Sequence, residues 1–319
     1  MENPVTPIDV RGGIFRTSRL QAIKKDFAKR KLIYFMLLPV VAFYVVFHYW
    51  PMYGAIIAFK NFSPARGILG SEWVGYQNFQ DFFRSYYFFR VLRNTFLISI
   101  YELIFGFPAP ILLALLLNEL RNKWYKRVVQ TVTYLPHFIS LMVICGVVTD
   151  FLAKDGVIND AIAFFGGSRE SFLLLPQWFR TIFVSTSIWQ QVGWGSIIYL
   201  AALSGIDQQL YEAARMDGAG RFRQIWHITI PGIAPTIMIL LILQTGHMMN
   251  VGFEKIILLY NPNTFETADV ISSFVYRKGL LEMNYGYSAA VGLFNSLINF
   301  TLLILANWAS KMAKQTSLW

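Results

Sequence analysis

Long apolar runs separated by short polar segments dominate the chain. About 20 consecutive apolar residues cross the hydrocarbon core of a bilayer as an α-helix. Six segments reach that length, and they predict an all-α, polytopic membrane protein with six transmembrane helices. Their approximate limits are 32–58, 92–117, 128–152, 180–204, 232–252 and 286–309.

Two of the predicted spans carry features beyond plain apolarity. The fourth is the most polar, so hydropathy alone would miss it most easily. Its polar residues include Ser185, Ser187, Gln190, Gln191 and Ser196. In the sixth span, Ser288 and Gly292 form a small-residue pair, which predicts close helix packing.

The composition favours a membrane protein over a large soluble core. Of the 319 residues, 55% are hydrophobic and 14% are charged, whereas soluble domains carry about 25% charged residues. The net charge of +10 indicates contact with anionic membrane lipid and control of orientation, and not a nucleic-acid partner. The single cysteine, Cys145, lies in an apolar run, which excludes a disulfide framework and a thiolate metal site.

The distribution of basic residues predicts that both termini are cytoplasmic, because Lys and Arg are enriched in cytoplasmic segments. The segments that this orientation places inside hold 17 of the 28 Lys and Arg residues. Arg90 and Arg93, at an outer boundary, run against the trend. The apolar run after the basic first 31 residues is too long for the core of a signal peptide. We therefore expect Leu32 to begin a first span that is retained.

This topology divides the chain into four parts. A basic cytoplasmic tail (1–31) precedes a part (32–91) that holds the first span and an aromatic extracytoplasmic loop, "NFQDFFRSYYFFRVL", which suits an interfacial helix. A helical core covers 92–309 and includes a charged loop at 205–231, and a cytoplasmic tail covers 310–319. The first tail is either a basic amphipathic segment on the inner leaflet or a disordered topology signal, and both remain open.

The charged loop contains "YEAARMDGAGRFRQIWHITIPG", which has more predicted order than a connector needs. Asp207 suits the N-cap of a helix over Gln208–Met216. Gly218 can adopt the positive φ that ends a helix, and Pro231 suits the first turn of the fifth span. So short a helix is marginal alone in water, and its apolar face has no partner within the loop. The pattern favours a docking element for a cytoplasmic protein, and packing on its own bundle is the alternative.

This loop resembles the cytoplasmic signature of permease subunits of binding-protein-dependent ABC importers: Glu-Ala-Ala, three residues, Gly, nine residues, Ile-x-Leu-Pro. The chain has Glu212-Ala213-Ala214, Gly218 and Ile228-Thr229-Ile230-Pro231 at that spacing. Ile230 in place of Leu is the one departure. "WVGYQNF" at 73–79 and "YLPHFIS" at 134–140 resemble the maltose-type, carbohydrate-uptake branch. The likeness covers nearly the whole chain and is closest to the polysaccharide-fragment subgroup, whose substrates include pectin and alginate fragments.

The resemblance implies a type I permease fold in the bacterial cytoplasmic membrane. It also implies four kinds of partner: a second, homologous permease subunit, an ATPase dimer, an extracytoplasmic solute-binding protein and an oligosaccharide substrate. The loop would be a coupling helix in a groove of the ATPase, where Glu212 makes a charge-assisted bond and Gly218 sets the angle between two helices. The implied coupling residues are Glu212, Ala213, Ala214, Asp217, Gly218, Ile228 and Pro231.

The sequence carries no motif of an ATP-hydrolysing or metal-dependent enzyme. G-x-x-x-x-G-K-[ST], HExxH and GxSxG do not occur. The four histidines, His48, His137, His227 and His247, are scattered without ligand spacing. We expect a transport subunit that is not an enzyme and holds no cofactor, with ATP and Mg²⁺ bound by the partner ATPase.

Polar residues within the spans are candidates for the sugar path, because such residues are rare unless they face protein or water. Sugars need hydrogen-bond partners and flat apolar faces. The stretches "STSIWQQVGW" and "LQTGHMMNVGF" offer both, and hydrogen bonds that only hold the bundle together are the alternative. The predicted path residues are His137, Gln190, Gln191, Trp194, His247, Met249 and Asn250.

Glu102 is the only acid well inside a predicted span. A charged side chain costs roughly 2.5–3.5 kcal/mol there, so Glu102 should face the interior and find a partner. A lone intramembrane carboxylate permits a second hypothesis, an ion-coupled secondary transporter or channel with Glu102 as the proton site. A structural hydrogen bond between helices is the alternative. The sequence does not identify the sugar.

Overall fold

The structure, a computed structural model, describes residues 29–312. The predicted tails, 1–31 and 310–319, lie mostly outside this range. The described residues belong to two units, one through Ala55 and one from Ile56 onward, and nearly all regular structure is helical. The helices are α1 (Lys31–Phe59), α2 (Gly67–Gly70), α3 (Gln77–Arg84), α4 (Phe88–Glu119), α5 (Lys123–Phe138), α6 (Leu141–Leu152), α7 (Val157–Phe164), α8 (Pro176–Ser204), α9 (Gln208–Met216), α10 (Arg221–Gly246), α11 (Phe253–Leu259), α12 (Phe265–Ala268), α13 (Ile271–Tyr276, continued by a π-helical turn at Arg277–Leu281) and α14 (Tyr285–Met312). A two-residue antiparallel ribbon pairs β1 (Lys60–Asn61) with β2 (Glu72–Trp73).

The helices account for the six predicted spans of an all-α membrane fold. Helices α1, α4, α10 and α14 are long and apolar enough to cross a bilayer. The pair Lys123–Phe138 (α5) and Leu141–Phe164 (α6 with α7) is bent by 104° and counts as a fifth span when taken as one. Helix α8 has 29 residues, about 43 Å at 1.5 Å per residue, and is too polar to qualify on apolarity, as the sequence indicated.

The predicted third span is wrong as a continuous helix. Residues Leu135–Phe138 form a 3₁₀ turn, and Ile139 is extended. Pro136 cannot donate a backbone hydrogen bond, and Ser140 caps the next helix by accepting from the backbone N–H of Val143 at 3.4 Å. The chain therefore changes direction where a straight helix was expected.

The predicted fifth span, 232–252, is displaced toward the loop. Helix α10 already begins at Arg221 and ends at Gly246, so residues 247–252 follow the helix. A π-helical turn at Ile225–Thr229 precedes Pro231. The ring of a proline crowds the carbonyl of the preceding turn, and a π-bulge accommodates that crowding without ending the helix.

The aromatic loop before α4 packs onto the helices, where an interfacial helix was predicted. Phe82 of α3 is completely buried, and its ring centroid lies 5.1 Å from that of Phe88 and 5.6 Å from that of Phe294. Asn78 Nδ2 donates to the carbonyl of Ala58 at 2.8 Å. This segment is therefore an integral part of the fold of the second unit.

The buried residue Asp269 joins α4, α8 and α13 at the end of the bundle where α4 and α8 begin. Asp269 is fully buried, and its Oδ2 lies 2.7 Å from Arg277 Nη2 and 3.5 Å from Arg90 Nη2. Its backbone carbonyl accepts from Asn94 Nδ2 at 3.0 Å, and Asn94 Oδ1 accepts from Arg180 Nη2 at 2.9 Å. Burial opposes the charge of Arg277, but the hydrogen bond and charge of Asp269 outweigh it and raise the pKa of Arg277. The need to neutralise Asp269 explains why Arg90 departs from the distribution of basic residues.

We predict that Asp269→Asn destabilises the protein by about 3–5 kcal/mol, because removing one member of a buried ion pair leaves uncompensated charge. The measurement is the thermal unfolding midpoint in detergent. Glu254→Gln is the control, because Glu254 is an exposed acid outside this network. Equal midpoints for the two variants would contradict the assigned role of Asp269.

Candidate substrate path and coupling loop

A cavity of about 520 Å³ lies between α4, α8 and α10. Its walls combine aromatic and aliphatic faces with a few hydrogen-bonding groups, as ligand sites typically do. The polar and aromatic side chains that line it are Glu102, Phe107, Ser187, Gln191, Trp194, Tyr199, Gln244 and His247. Gln191, Trp194 and His247 were predicted as path residues, and Gln244 belongs to the same predicted stretch.

Two residues of the cavity wall, Gln191 and Trp194, are held in place by His137. The rings of His137 and Trp194 are stacked, with centroids 4.4 Å apart and planes within 3°. His137 Nδ1 lies 3.0 Å from Gln191 Oε1. An amide oxygen only accepts, so Nδ1 carries the proton. His137 thereby holds the Gln191 amide in one orientation and leaves its NH₂ group as a donor.

Four predicted path residues do not line the cavity. His137 contacts the lining residues Gln191 and Trp194. Gln190 is buried but turned away from the cavity, because consecutive helical residues point in directions about 100° apart.

Met249 lies in a hydrophobic cluster with Phe274. Asn250 follows the end of α10, and its Oδ1 accepts hydrogen bonds from Asn295 and Asn299 of α14. A linear pattern does not fix the side to which each residue turns, so the path role of these residues stays a prediction.

Glu102 has the partner that the sequence analysis expected. Ser187 Oγ donates to Glu102 Oε1 at 3.0 Å. Lys255 Nζ in turn donates to Ser187 Oγ and to the carbonyl of Phe183, both at 2.7 Å. The sequence analysis missed Lys255, which is only 5% exposed. Its one signal was a lysine within the apolar stretch "GFEKIILL". The carboxylate is thus part of a hydrogen-bonded chain that links α4, α8 and α11.

The coupling loop forms as its cap residues predicted. Asp207 Oδ1 accepts from the backbone N–H of Gln209 at 2.9 Å, and α9 covers Gln208–Met216. Gly218 has a φ of +73°, and the N–H of Ala219 donates to the carbonyl of Ala214 at 2.8 Å. The turn therefore needs a residue that tolerates positive φ, which favours glycine.

The loop is anchored on its own bundle by one side. Tyr211 Oη lies 3.0 Å from Thr229 Oγ1, and Gln224 Nε2 donates to the carbonyl of Ala219 at 2.7 Å. Ile228 packs against the hydrophobic cluster formed around Tyr199. These contacts fix α9 relative to the start of α10.

The other side of the loop is apolar and exposed. Met216 is 89% exposed and Phe222 is 86% exposed, and Leu210 and Trp226 are also exposed. The predicted coupling residues Glu212, Ala213, Asp217, Gly218 and Pro231 are exposed, whereas Ala214 and Ile228 are half-buried. The loop is thus packed on its own bundle, as one alternative of the sequence analysis held. Its exposed apolar side chains leave docking to another protein as a prediction.

Comparison with known proteins identifies the class of protein to which this fold belongs. The family described as "Binding-protein-dependent transport system inner membrane component" matches residues 106–314. This is well over half of the chain, and the chain belongs to that family. It is a membrane-spanning permease subunit of an ABC importer, with the type I permease fold, and not an enzyme.

Three relatives show how far the similarity extends. Protein LplB of Bacillus subtilis (strain 168) is 46% identical over 303 residues, covering 95% of this chain and 94% of that protein. The polygalacturonan/rhamnogalacturonan transport system permease protein YteP of the same bacterium is 44% identical over 299 residues, covering 93% of each. A solved bacterial alginate ABC transporter, in complex with an alginate pentasaccharide-bound periplasmic protein, contains a chain that is 43% identical, with a TM-score of 0.86 over 92% of this chain and 99% of that one.

Proposed function

We propose that this subunit carries oligosaccharides of uronic acids across the bacterial cytoplasmic membrane. Polygalacturonan and alginate, which stand in the names of two relatives, are both polymers of uronic acids. The observation that carries the saccharide class is the pair Gln191 and Trp194 on the cavity wall, both held by His137. It offers an aromatic ring beside an oriented amide, which suits the apolar face and the hydroxyl groups of a sugar.

The cavity wall contributed by this chain would recognise sugar hydroxyls and not uronate carboxylates. Glu102 is the one charged residue among those that line it, and no Lys or Arg does so. A uronate would meet no opposite charge on this wall. Selection for acidic sugars would therefore rest on the solute-binding protein or on the second permease subunit.

The loop around α9 would lie in the cytoplasm and dock to the ATPase, with both termini of the chain on the same side. Its exposed apolar side chains, including Met216 and Phe222, support this assignment because such patches mark interaction sites. Glu212 is exposed beside them and is available for a charge-assisted bond. ATP and Mg²⁺ would bind to the ATPase dimer.

Helix α10 would transmit ATPase motion to the cavity. It runs without a break from Arg221, in the coupling loop, to Gly246, and Leu243 and Gln244 near its end line the cavity. A rigid-body shift of α9, anchored to α10 through Tyr211 and Thr229, would therefore move the cavity wall. Such coupled motion of packed helices is a common route for switching between states.

The permease architecture also implies three further partners: a second permease subunit, a binding protein and membrane lipid. A second, homologous permease would close the cavity from its open side, and an extracytoplasmic binding protein would deliver the sugar. Lipid would cover the apolar surface of α1, none of whose residues between Lys31 and Tyr44 is buried. An ion-coupled transporter that uses Glu102 is not retained, because the family is that of ABC importer permeases and the carboxylate is held by Ser187.

We predict that Glu212→Ala abolishes association with the ATPase, because it removes the charge by which the loop would be anchored. The measurement is co-purification of the ATPase with the tagged permease, together with ATP-dependent uptake. Glu254→Ala, which removes an exposed acid outside the loop, should change neither. An intact complex that transports without ATP hydrolysis would refute the coupling role.

We predict that Gln191→Leu lowers uptake of tetragalacturonate about tenfold, because a lost hydrogen bond that leaves a buried sugar hydroxyl unpaired costs about 1–3 kcal/mol. The measurement is ATP-dependent uptake by proteoliposomes that contain the whole importer. Gln177→Leu, an exposed change in the first turn of the same helix, is the control. Assembly should be unaffected in both variants. Unchanged uptake would remove Gln191 from the path, and equal uptake of maltotetraose by the wild type would contradict the acidic substrate class.

A further inference from the structure

A second cavity, of about 540 Å³, lies between α13, the start of α11 and the first half of α14. It shares no lining residue with the first cavity. The residues that matter for its chemistry are Phe253, Tyr276, Tyr285, Ser288, Gly292 and Asn295.

Two buried polar atoms at this cavity have no hydrogen-bond partner in the part of the chain that the structure describes. They are Ser288 Oγ and Asn295 Oδ1, on side chains of residues that are only 6% and 9% exposed. Seven residues is close to two helical turns, so both project from one face of α14. Buried polar groups in proteins are nearly always hydrogen-bonded. A donor from outside the described residues therefore belongs in the cavity.

The chemistry of the missing donor is restricted. Asn295 Nδ2 already donates to Asn250 Oδ1 at 2.9 Å, so the amide is oriented and its oxygen can only accept. An acyl chain would leave both oxygens unsatisfied, whereas a sugar supplies hydroxyl donors. The rings of Phe253 and Tyr276, with centroids 5.9 Å apart, provide an aromatic wall against which the apolar face of a sugar ring can pack.

A short segment connects this cavity to the first one. His247 lines the first cavity, and three residues later Asn250 bonds to Asn295 at the second. Asn299 also donates to Asn250 Oδ1, at 3.0 Å. Residues 247–252 thus join His247 of the first cavity to Phe253 of the second along the sequence.

The two small residues predicted to pack against another helix serve this cavity. A Cβ placed on Gly292 would have no atom within 4 Å, so no neighbouring helix approaches there. The pair Ser288 and Gly292 leaves space and a hydroxyl in the cavity wall. Gly292 therefore packs against no other helix of the described residues.

We propose that the second cavity is a saccharide subsite, in which Ser288 Oγ and Asn295 Oδ1 accept hydrogen bonds from a sugar unit beyond those held by the first cavity. This inference rests on the proposed function, because it assigns a second position along the path of the same oligosaccharide. It makes substrate length, and not only sugar type, a property that this chain recognises.

The test compares di- and tetragalacturonate uptake by proteoliposomes that contain the importer with its partner subunits and binding protein. Gly292→Leu places a side chain in the cavity from a Cβ position that has no atom within 4 Å, and leucine suits a helix better than glycine. It should lower tetragalacturonate uptake about tenfold or more, and leave digalacturonate uptake unchanged. Ser288→Ala removes a hydroxyl that has no partner among the described residues, and should lower tetragalacturonate uptake about two- to tenfold. Thr301→Val, on the same helix but outside the cavity, is the control.

The possible outcomes separate the subsite from the proposed function. Unchanged tetragalacturonate uptake in Gly292→Leu, or equal losses for both lengths, would overturn the subsite while wild-type uptake of galacturonides upholds the function. A wild-type importer that takes up neither length would overturn the proposed function and the subsite with it. Selective loss for the tetramer, with the control unaffected, is the result that the subsite requires.

Discussion

A membrane-spanning helix as polar as α8 must be enclosed by protein, because polar side chains that face lipid find no hydrogen-bond partners. Helices α4, α5 and α10 pack around it. Gly193 permits the closest of these approaches, since a Cβ there would clash with the backbone of Thr133. Ser196 bonds back to the carbonyl of Gly193 at 2.6 Å, so it needs no partner on another helix. Ser187 and Gln191 face the cavity, which is thus a consequence of how α8 is enclosed.

One of the helices that enclose α8, helix α10, also connects the cavity to the coupling loop. Helix α10 packs against α8, and it carries both the loop residue Arg221 and the cavity residue Gln244. Its π-helical turn absorbs Pro231 without breaking the helix. Because the helix is continuous, a displacement of the loop would be transmitted to the end that lines the cavity. The physical basis of coupling would therefore be helix continuity together with the anchor between Tyr211 and Thr229.

Features decided by local chemistry could be predicted from the sequence, and features decided by distant partners could not. The cap at Asp207 and the positive φ of Gly218 depend on residues within one turn, and both were predicted. The apolar spans follow likewise from composition over about 20 residues. The bend before Ser140 has local signals in Pro136 and Ser140. The contact between Gly193 and the backbone at Thr133, sixty residues away in sequence, has none.

In the cavity, too, residue types could be predicted from the sequence but long-range contacts could not. Aromatic and amide residue types predicted that a polar path exists, but only packing decides that Gln191 and not Gln190 faces it. The ion pair of Asp269 with Arg90 and the bond of Lys255 to Ser187 join residues far apart in sequence. Their identities were visible in the chain, but their partners were not. Long-range polar pairs are thus the part of this fold that most requires a structure.

The central claim, that the loop after α8 lies in the cytoplasm against an ATPase, is tested most directly by labelling Asp217→Cys. Asp217 is exposed, and the one native thiol, Cys145, is buried, so background labelling should be low. A membrane-impermeant maleimide should modify the new thiol in inside-out vesicles and not in intact cells, and bound ATPase should protect it. Modification from outside intact cells would contradict the account.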